Sequence, residues 1–115
     1  MTDELFGAFI RRVREAKEIG LREMAKKIEV SPTYLSKVER DEFAPPAEYR
    51  VKAIAAILDL DADDLLARAG RVSSDVSSII KRQPVALAAL LRTTAGMSAE
   101  DIASLVRQAQ KAKDN

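Results

Sequence analysis

The sequence predicts an all-α protein, and two compositional facts and one pattern carry that reading. Only four glycines and four prolines punctuate 115 residues, and aromatic residues are 4% of the chain. Large apolar residues return at three- and four-residue steps instead of alternating, which suits helices rather than a sandwich or barrel. At 12.6 kDa the chain has room for one compact domain and a small appendage. Hydrophobic residues at 47% suffice for a core, and no apolar run approaches the roughly 20 residues that cross a bilayer.

The first helix is expected from Asp3 to Glu18, with Leu5, Phe6, Phe9, Ile10, Val13 and Ala16 as its apolar stripe, Arg11, Arg12 and Glu15 toward water, and Arg14 beside the stripe. The second covers Leu21 to Lys27. Gly20 stands at its N-cap, Glu23 adds a carboxylate at the third helical position, and Ile19 with Met24 brackets the start as a hydrophobic staple. The segment Ser31-Pro32-Thr33-Tyr34-Leu35 is the clearest helix start in the chain. Ser31 caps, Pro32 takes the first position where no amide hydrogen is needed, and Val30 staples to Leu35. This third helix runs to about Arg40. Only a short turn that includes Glu29, Val30 and Ser31 separates it from the second, so the pair forms a helix-turn-helix.

Asp41 to Pro46 reads as a loop ending in Pro45-Pro46. A fourth helix follows from about Ala47 to Leu58 with Val51, Ile54, Ala55 and Leu58 inward. A fifth starts at Asp61, where Leu60 staples to Leu65, and stops at Gly70. Beyond Gly70 a serine-rich linker leads to a short helix, about Asp75 to Lys81. Pro84 then opens Val85 to Leu91, apolar on every side and therefore expected to be buried all round. The last helix is capped by Ser98, with Asp101 in the box position and Met97 stapling to Ile102, and presents Ile102, Leu105, Val106 and Ala109 on one face.

Cysteine and histidine are both absent. That removes disulfides, thiolate nucleophiles, imidazole acid–base chemistry and Cys/His zinc sites. Asp61, Asp63 and Asp64 cluster, but a helix N-terminus explains them. No catalytic residue, metal or cofactor is expected, and the chain does not read as an enzyme. The N-terminus, MTDELFGAF, lacks the basic start of a signal peptide, so a soluble cytoplasmic protein without membrane attachment is expected. Net charge is +1, too small to announce a nucleic-acid partner. Residues 1–70 carry 12 Lys/Arg against 14 Asp/Glu, and residues 71–115 carry 7 against 4. Any phosphate-binding face must come from local placement, and Arg22, Lys26, Lys27, Lys37 and Arg40 fall within 19 residues.

Residues 5–69 resemble the Cro/C1-type (XRE) helix-turn-helix of phage repressors and related bacterial regulators. The resemblance rests on Gly20-Leu21-Arg22-Glu23-Met24-Ala25, on Val30 through Arg40, on the proline pair and on Leu58-Asp59-Leu60. It implies a five-helix lambda-repressor-like DNA-binding domain, residues 1–70, followed by a three-helix dimerisation region, residues 71–115. Three positions depart from the family pattern. Gly20 stands where Ser or Thr is common, Glu29 where the turn often has Gly, and Asp41 where Gly usually follows the recognition helix. Glu29 strains the turn if its backbone must be left-handed.

In this motif the second helix enters the major groove with its leading residues at base edges. Those residues are Pro32, Thr33 and Tyr34, with Ser36 and Lys37 one turn on. Lys37 can donate to guanine O6 and N7, and the Thr33 methyl can meet a thymine methyl. Tyr34 has two readings: core packing, or a hydroxyl reaching a phosphate. Leu35 and Val38 belong to the core. The N-terminus of the second helix suits a phosphate, and Arg22 adds a charge there. Lys26, Lys27 and Arg40 are candidate phosphate contacts, and the loop to Ala44 is placed to touch the flanking strand. By the same resemblance, Arg14 and Glu39 form a partly buried ion pair tying the first helix to the recognition helix.

A 45-residue segment without metal or disulfide rarely stabilises itself. Val85, Leu87, Leu90, Leu91, Ile102, Leu105 and Val106 therefore need cover, either from residues 1–70 or from a second chain. The favoured reading is a homodimeric repressor on palindromic double-stranded DNA. The alternative is an antitoxin or adaptor whose C-terminal helices hold a toxin or other protein while the helix-turn-helix autoregulates. The run Pro84…Leu90-Leu91-Arg92…Gly96-Met97-Ser98 is similar to that of damage-response repressors, which implies a metallopeptidase partner cutting at Leu91–Arg92.

Overall fold

In the computed structural model, residues 4–115 are described, and they fold entirely into helices and their connections. In order these are α1 (Phe6–Ala16), α2 (Leu21–Lys27), α3 (Pro32–Glu39), α4 (Glu48–Leu58), α5 (Ala62–Arg68), α6 (Ser74–Arg82), α7 (Pro84–Thr94) and α8 (Ala99–Asp114). The chain divides into two compact units, one ending at Ser74 and the other running Asp75–Asn115.

In the first unit α3 packs on both α1 and α2, while α4 packs on α5. The core joins these layers through Ile10 of α1, Met24 and Ala25 of α2, Leu35 and Val38 of α3, Val51, Ile54 and Leu58 of α4, and Leu65 and Leu66 of α5. Each comes from the apolar face of its helix, so burying these faces against one another is what assembles the five helices. Ser31 Oγ accepts the Tyr34 amide at 3.0 Å and Asp61 Oδ1 accepts the Asp64 amide at 3.0 Å. These caps satisfy donors that a helix start leaves open.

The C-termini share one device. After α1, α2, α3, α4 and α5 the chain turns through a left-handed residue: Glu18, Glu29, Asp41, Asp59 and Gly70, with φ between 56° and 73°. The following amide then donates back into the last helical turn, as in Ile19 to Arg14 (3.1 Å), Val30 to Ala25 (3.0 Å), Glu42 to Lys37 (2.9 Å), Leu60 to Ala55 (2.8 Å) and Arg71 to Leu66 (2.9 Å). Only Gly70 is the residue such a bend prefers.

Two expectations need correction, and a third falls outside the described residues. The start of the first helix at Asp3 lies outside the described residues. Leu5 is the N-cap of α1 and is 65% exposed, so it does not extend the apolar stripe, and Ala16 is exposed as well. The expected all-round burial of the Val85–Leu91 helix does not occur within the single chain. Val85 is 85% exposed, Leu90 and Leu91 are about half exposed, and no side chain of α7 or α8 is fully buried. A short helix with apolar residues on every side cannot turn them all onto one neighbour in a two- or three-helix unit.

Candidate nucleic-acid interface

Helix α3 is fixed from behind by three independent attachments. Leu35 and Val38 are fully buried. Arg14 donates to Glu39 through Nε at 2.7 Å and Nη2 at 2.8 Å, and its Nη1 donates to the Ile19 carbonyl at 2.8 Å. Both partners are nearly enclosed, Arg14 at 8% and Glu39 at 4% exposure. The bidentate geometry satisfies the charges that burial would otherwise leave costly. The Glu39 hydrogen bonds hold the Arg14 guanidinium above its ordinary pKa, so it stays charged.

The third attachment is a close crossing of α1 over the end of α3. Gly7 lies so near that an added Cβ would run into the Val38 carbonyl oxygen, with Glu39 O at 2.8 Å. Asp41, just past α3, accepts the Gly7 amide at 2.7 Å and the Ala8 amide at 3.1 Å. Its carboxylate thus supplies the cap that Leu5 cannot. A residue that departs from glycine at a left-handed position is thereby the α1 cap.

The turn between α2 and α3 is held in a similar way. Glu29 has φ of 60°, and Arg50 on α4 donates to the Ile28 carbonyl at 3.2 Å and to the Glu29 carbonyl at 3.3 Å. The Arg50 guanidinium also stacks 4.7 Å from the Tyr49 ring. The carbonyls left open at the end of α2 are thereby satisfied.

With its inner face so anchored, α3 turns the other side outward. Thr33 is exposed, and Pro32, Tyr34, Ser36 and Lys37 are partly exposed. Leu21, Arg22, Pro32, Thr33, Ser36 and Arg40 line one open groove between the start of α2 and α3. This groove gathers Arg22 and Arg40 with three of the base-contact candidates. Lys26 is exposed one turn from Arg22, on the same face of α2. Lys27 pairs with Glu23 at 3.4 Å and Arg40 with Glu42 at 2.9 Å. Such exposed pairs are worth only about 0–1 kcal/mol, so they do not bar either cation from a phosphate. Tyr34 packs partly against the core and meets Phe43 at 5.9 Å between ring centroids. Lys37 places its ammonium 5.2 Å from the same Phe43 ring.

Sequence reasoning missed Gly7, Asp41, Phe43 and Arg50. Gly7, Asp41 and Arg50 act across 21 to 34 residues of chain, where no helical spacing rule reaches. Asp41 left a signal as a departure from glycine, though not of its capping role, and Phe43 left one as a large aromatic in a loop. Among the described residues no group of three or more acidic side chains gathers as a cation site, and no helix is long and apolar enough to cross a membrane. The Leu91–Arg92 bond lies inside α7.

Residues 5–69 match the family described as a helix-turn-helix domain. The chain belongs to this helix-turn-helix family. An uncharacterized HTH-type transcriptional regulator of Mycobacterium tuberculosis is 36% identical over 75 residues, which is 65% of this chain and 53% of that protein. The chain thus spans about half the length of the curated relatives it matches. The solution structure of the DNA-binding domain of the P22 C2 repressor is 30% identical, with a TM-score of 0.51 over 57% of this chain and 86% of that one. The clp gene regulator ClgR from Corynebacterium glutamicum is 28% identical, with a TM-score of 0.50 over 77% of this chain and 88% of that one.

Proposed function

We propose that this protein is a sequence-specific DNA-binding transcriptional regulator, a homodimeric repressor that reads a palindromic operator with residues 31–40. The observation that carries the reading is the groove in which exposed Thr33 and half-exposed Pro32 and Ser36 stand between Arg22 and Arg40. The likeness to a domain named for DNA binding, at 30% identity, supports it. Residues 1–70 form the DNA-binding domain and residues 71–115 the dimerisation region.

In this account the first turn of α3 enters the major groove, where its side chains meet base edges. Thr33 offers a methyl to thymine, Ser36 a donor and acceptor, and Lys37 a donor to guanine. Pro32 and Tyr34 frame them. Arg22, Lys26, Lys27 and Arg40 neutralise phosphates on either side and set the register, a contribution without sequence information. The Arg14–Glu39 pair touches no DNA and holds the angle of α3 to α1.

The dimer forms through Val85, Leu87, Leu90, Leu91, Ile102, Leu105 and Val106. Burying one large aliphatic side chain in full is worth about 1.5–3 kcal/mol. Leu90, Leu91 and Val106 are only about half exposed and Leu87 and Leu105 are partly covered already. Roughly half of that gain per side chain therefore remains, and seven on each protomer match the roughly 4–15 kcal/mol cost of association. Selection of bound duplexes from a random pool, with light scattering of the free chain, tests this reading. A two-fold symmetric motif with half-sites about 34–36 Å apart and a dimer mass are expected. An asymmetric motif bound by a monomer would refute the homodimeric repressor.

A further inference from the structure

Phe43 sits in the loop after α3 and is 45% exposed, although a large aromatic gains most from burial. The loop curls back because the Glu42 amide donates to the Lys37 carbonyl at 2.9 Å and the Phe43 amide to the same oxygen at 3.4 Å. That return sets the Phe43 ring beside Tyr34 and Lys37, which are three residues apart on α3 and so share a face. The rings of Phe43 and Tyr34 lie 5.9 Å apart and are tilted by 41°, and the Lys37 ammonium stands 5.2 Å from the Phe43 centroid.

We infer that Phe43 is a specificity-determining positioning residue: its ring holds the Lys37 ammonium and the Tyr34 ring in place, so that Lys37 discriminates at one base pair. This rests on the reading of α3 as the groove-entering helix. Lysine carries more rotamer freedom than most side chains, and ordering it on contact weakens whatever it binds. A ring face attracts the ammonium without fully satisfying its three donors, leaving them able to turn to a base edge. A carboxylate in the same place would compete with the base for those donors. Phe43 itself touches no base in this account.

The test uses the full chain and five proteins: wild type, Phe43→Leu, Phe43→Tyr, Lys37→Met and the Phe43→Leu/Lys37→Met double variant, each titrated against the selected duplex and its single-base-pair variants. Phe43→Leu keeps an apolar side chain and removes the ring. The expected result is a loss of about 3- to 5-fold in discrimination at the position that Lys37→Met also affects. No further loss is expected when Phe43→Leu is added to Lys37→Met, and Phe43→Tyr should restore discrimination. A uniform loss at every position, an additive double variant, or tighter binding by Phe43→Leu would each overturn the inference. If wild type selects no sequence at all, the groove reading fails and the inference falls with it. A wild type that selects while Phe43→Leu matches it would remove the inference alone.

Discussion

Glu18, Glu29, Asp41 and Asp59 each adopt φ between 56° and 60°, a left-handed backbone that costs an L-residue roughly 1–2 kcal/mol. All four follow a helix C-terminus, where the dipole disfavours negative charge, but the Asp41 carboxylate reaches instead to the first turn of α1. Relief of this strain separates residues with a second role from those without one. Glu29→Gly keeps its carbonyl on Arg50 and should stabilise the protein by about 0.5–1 kcal/mol, since the greater freedom of unfolded glycine offsets part of the gain. Asp41→Gly relieves the same strain but removes the cap on Gly7 and Ala8, worth about 0.5–2 kcal/mol, so it should give no gain. Thermal unfolding of the two variants checks this pair, and equal stabilisation by both would contradict the capping role. For the enclosed ion pair, Glu39→Gln or Arg14→Met alone should cost about 3–5 kcal/mol. Denaturant unfolding of the double variant should recover much of that loss, because no unpaired charge then stays buried. The raised pKa of Arg14 means its contribution is in full at neutral pH, well below the unfolded guanidinium value, and is lost on the basic side only as pH rises through the still higher folded value. Chain stability should therefore show no step from this group near neutrality.

Where a cap or stop is local, the elements were legible before the structure. Ser31, Asp61 and Ser98 all accept the amide three residues on, a relation a four-residue window contains. The apolar faces of α3 and α4 were equally plain, since Leu35, Val38, Val51, Ile54, Ala55 and Leu58 follow helical spacing and are buried. Invisible were contacts whose partners are remote in sequence, such as Asp41 to α1 and Arg50 to the α2–α3 turn. At this scale Gly7 sets how closely α1 approaches α3. Gly7→Ala puts a methyl against backbone carbonyls that cannot swing aside and should destabilise by about 1–3 kcal/mol, which chemical denaturation will show. A second link is sensitive to acid. Glu48 at the start of α4 accepts the Ser74 amide at 3.0 Å and the Ser74 hydroxyl at 2.9 Å, with Lys52 at 3.1 Å. The Ser74 hydrogen bond, then the Lys52 one, lowers the Glu48 carboxyl below its ordinary range. A depressed carboxyl contributes stability that is full above its unfolded value, about 4.3, and lost as pH falls through the folded value. Unfolding of wild type and Glu48→Gln should therefore differ at neutral pH and converge in acid. A gap that persists at low pH would show the link does not depend on ionisation.

For the whole molecule, two units with different surfaces suggest different work. The first unit carries a full core and the arginine-flanked groove, whereas the second has no fully buried side chain in α7 or α8. If Arg22 and Arg40 contact phosphates, replacing either by alanine should weaken binding about equally on all sequences and lower the salt slope by about one per half-site. Anisotropy titrations at several salt concentrations measure that slope, and a slope unchanged in both variants would remove the phosphate assignment. The central claim is that the leading turn of α3 is what meets duplex DNA. Amide chemical-shift mapping of the isotopically labelled chain during titration with a duplex tests it most directly. The account predicts that the largest changes fall on residues 31–37 and on Arg22 and Arg40. Changes confined to α7 and α8, with residues 31–37 unmoved at saturating DNA, would contradict it.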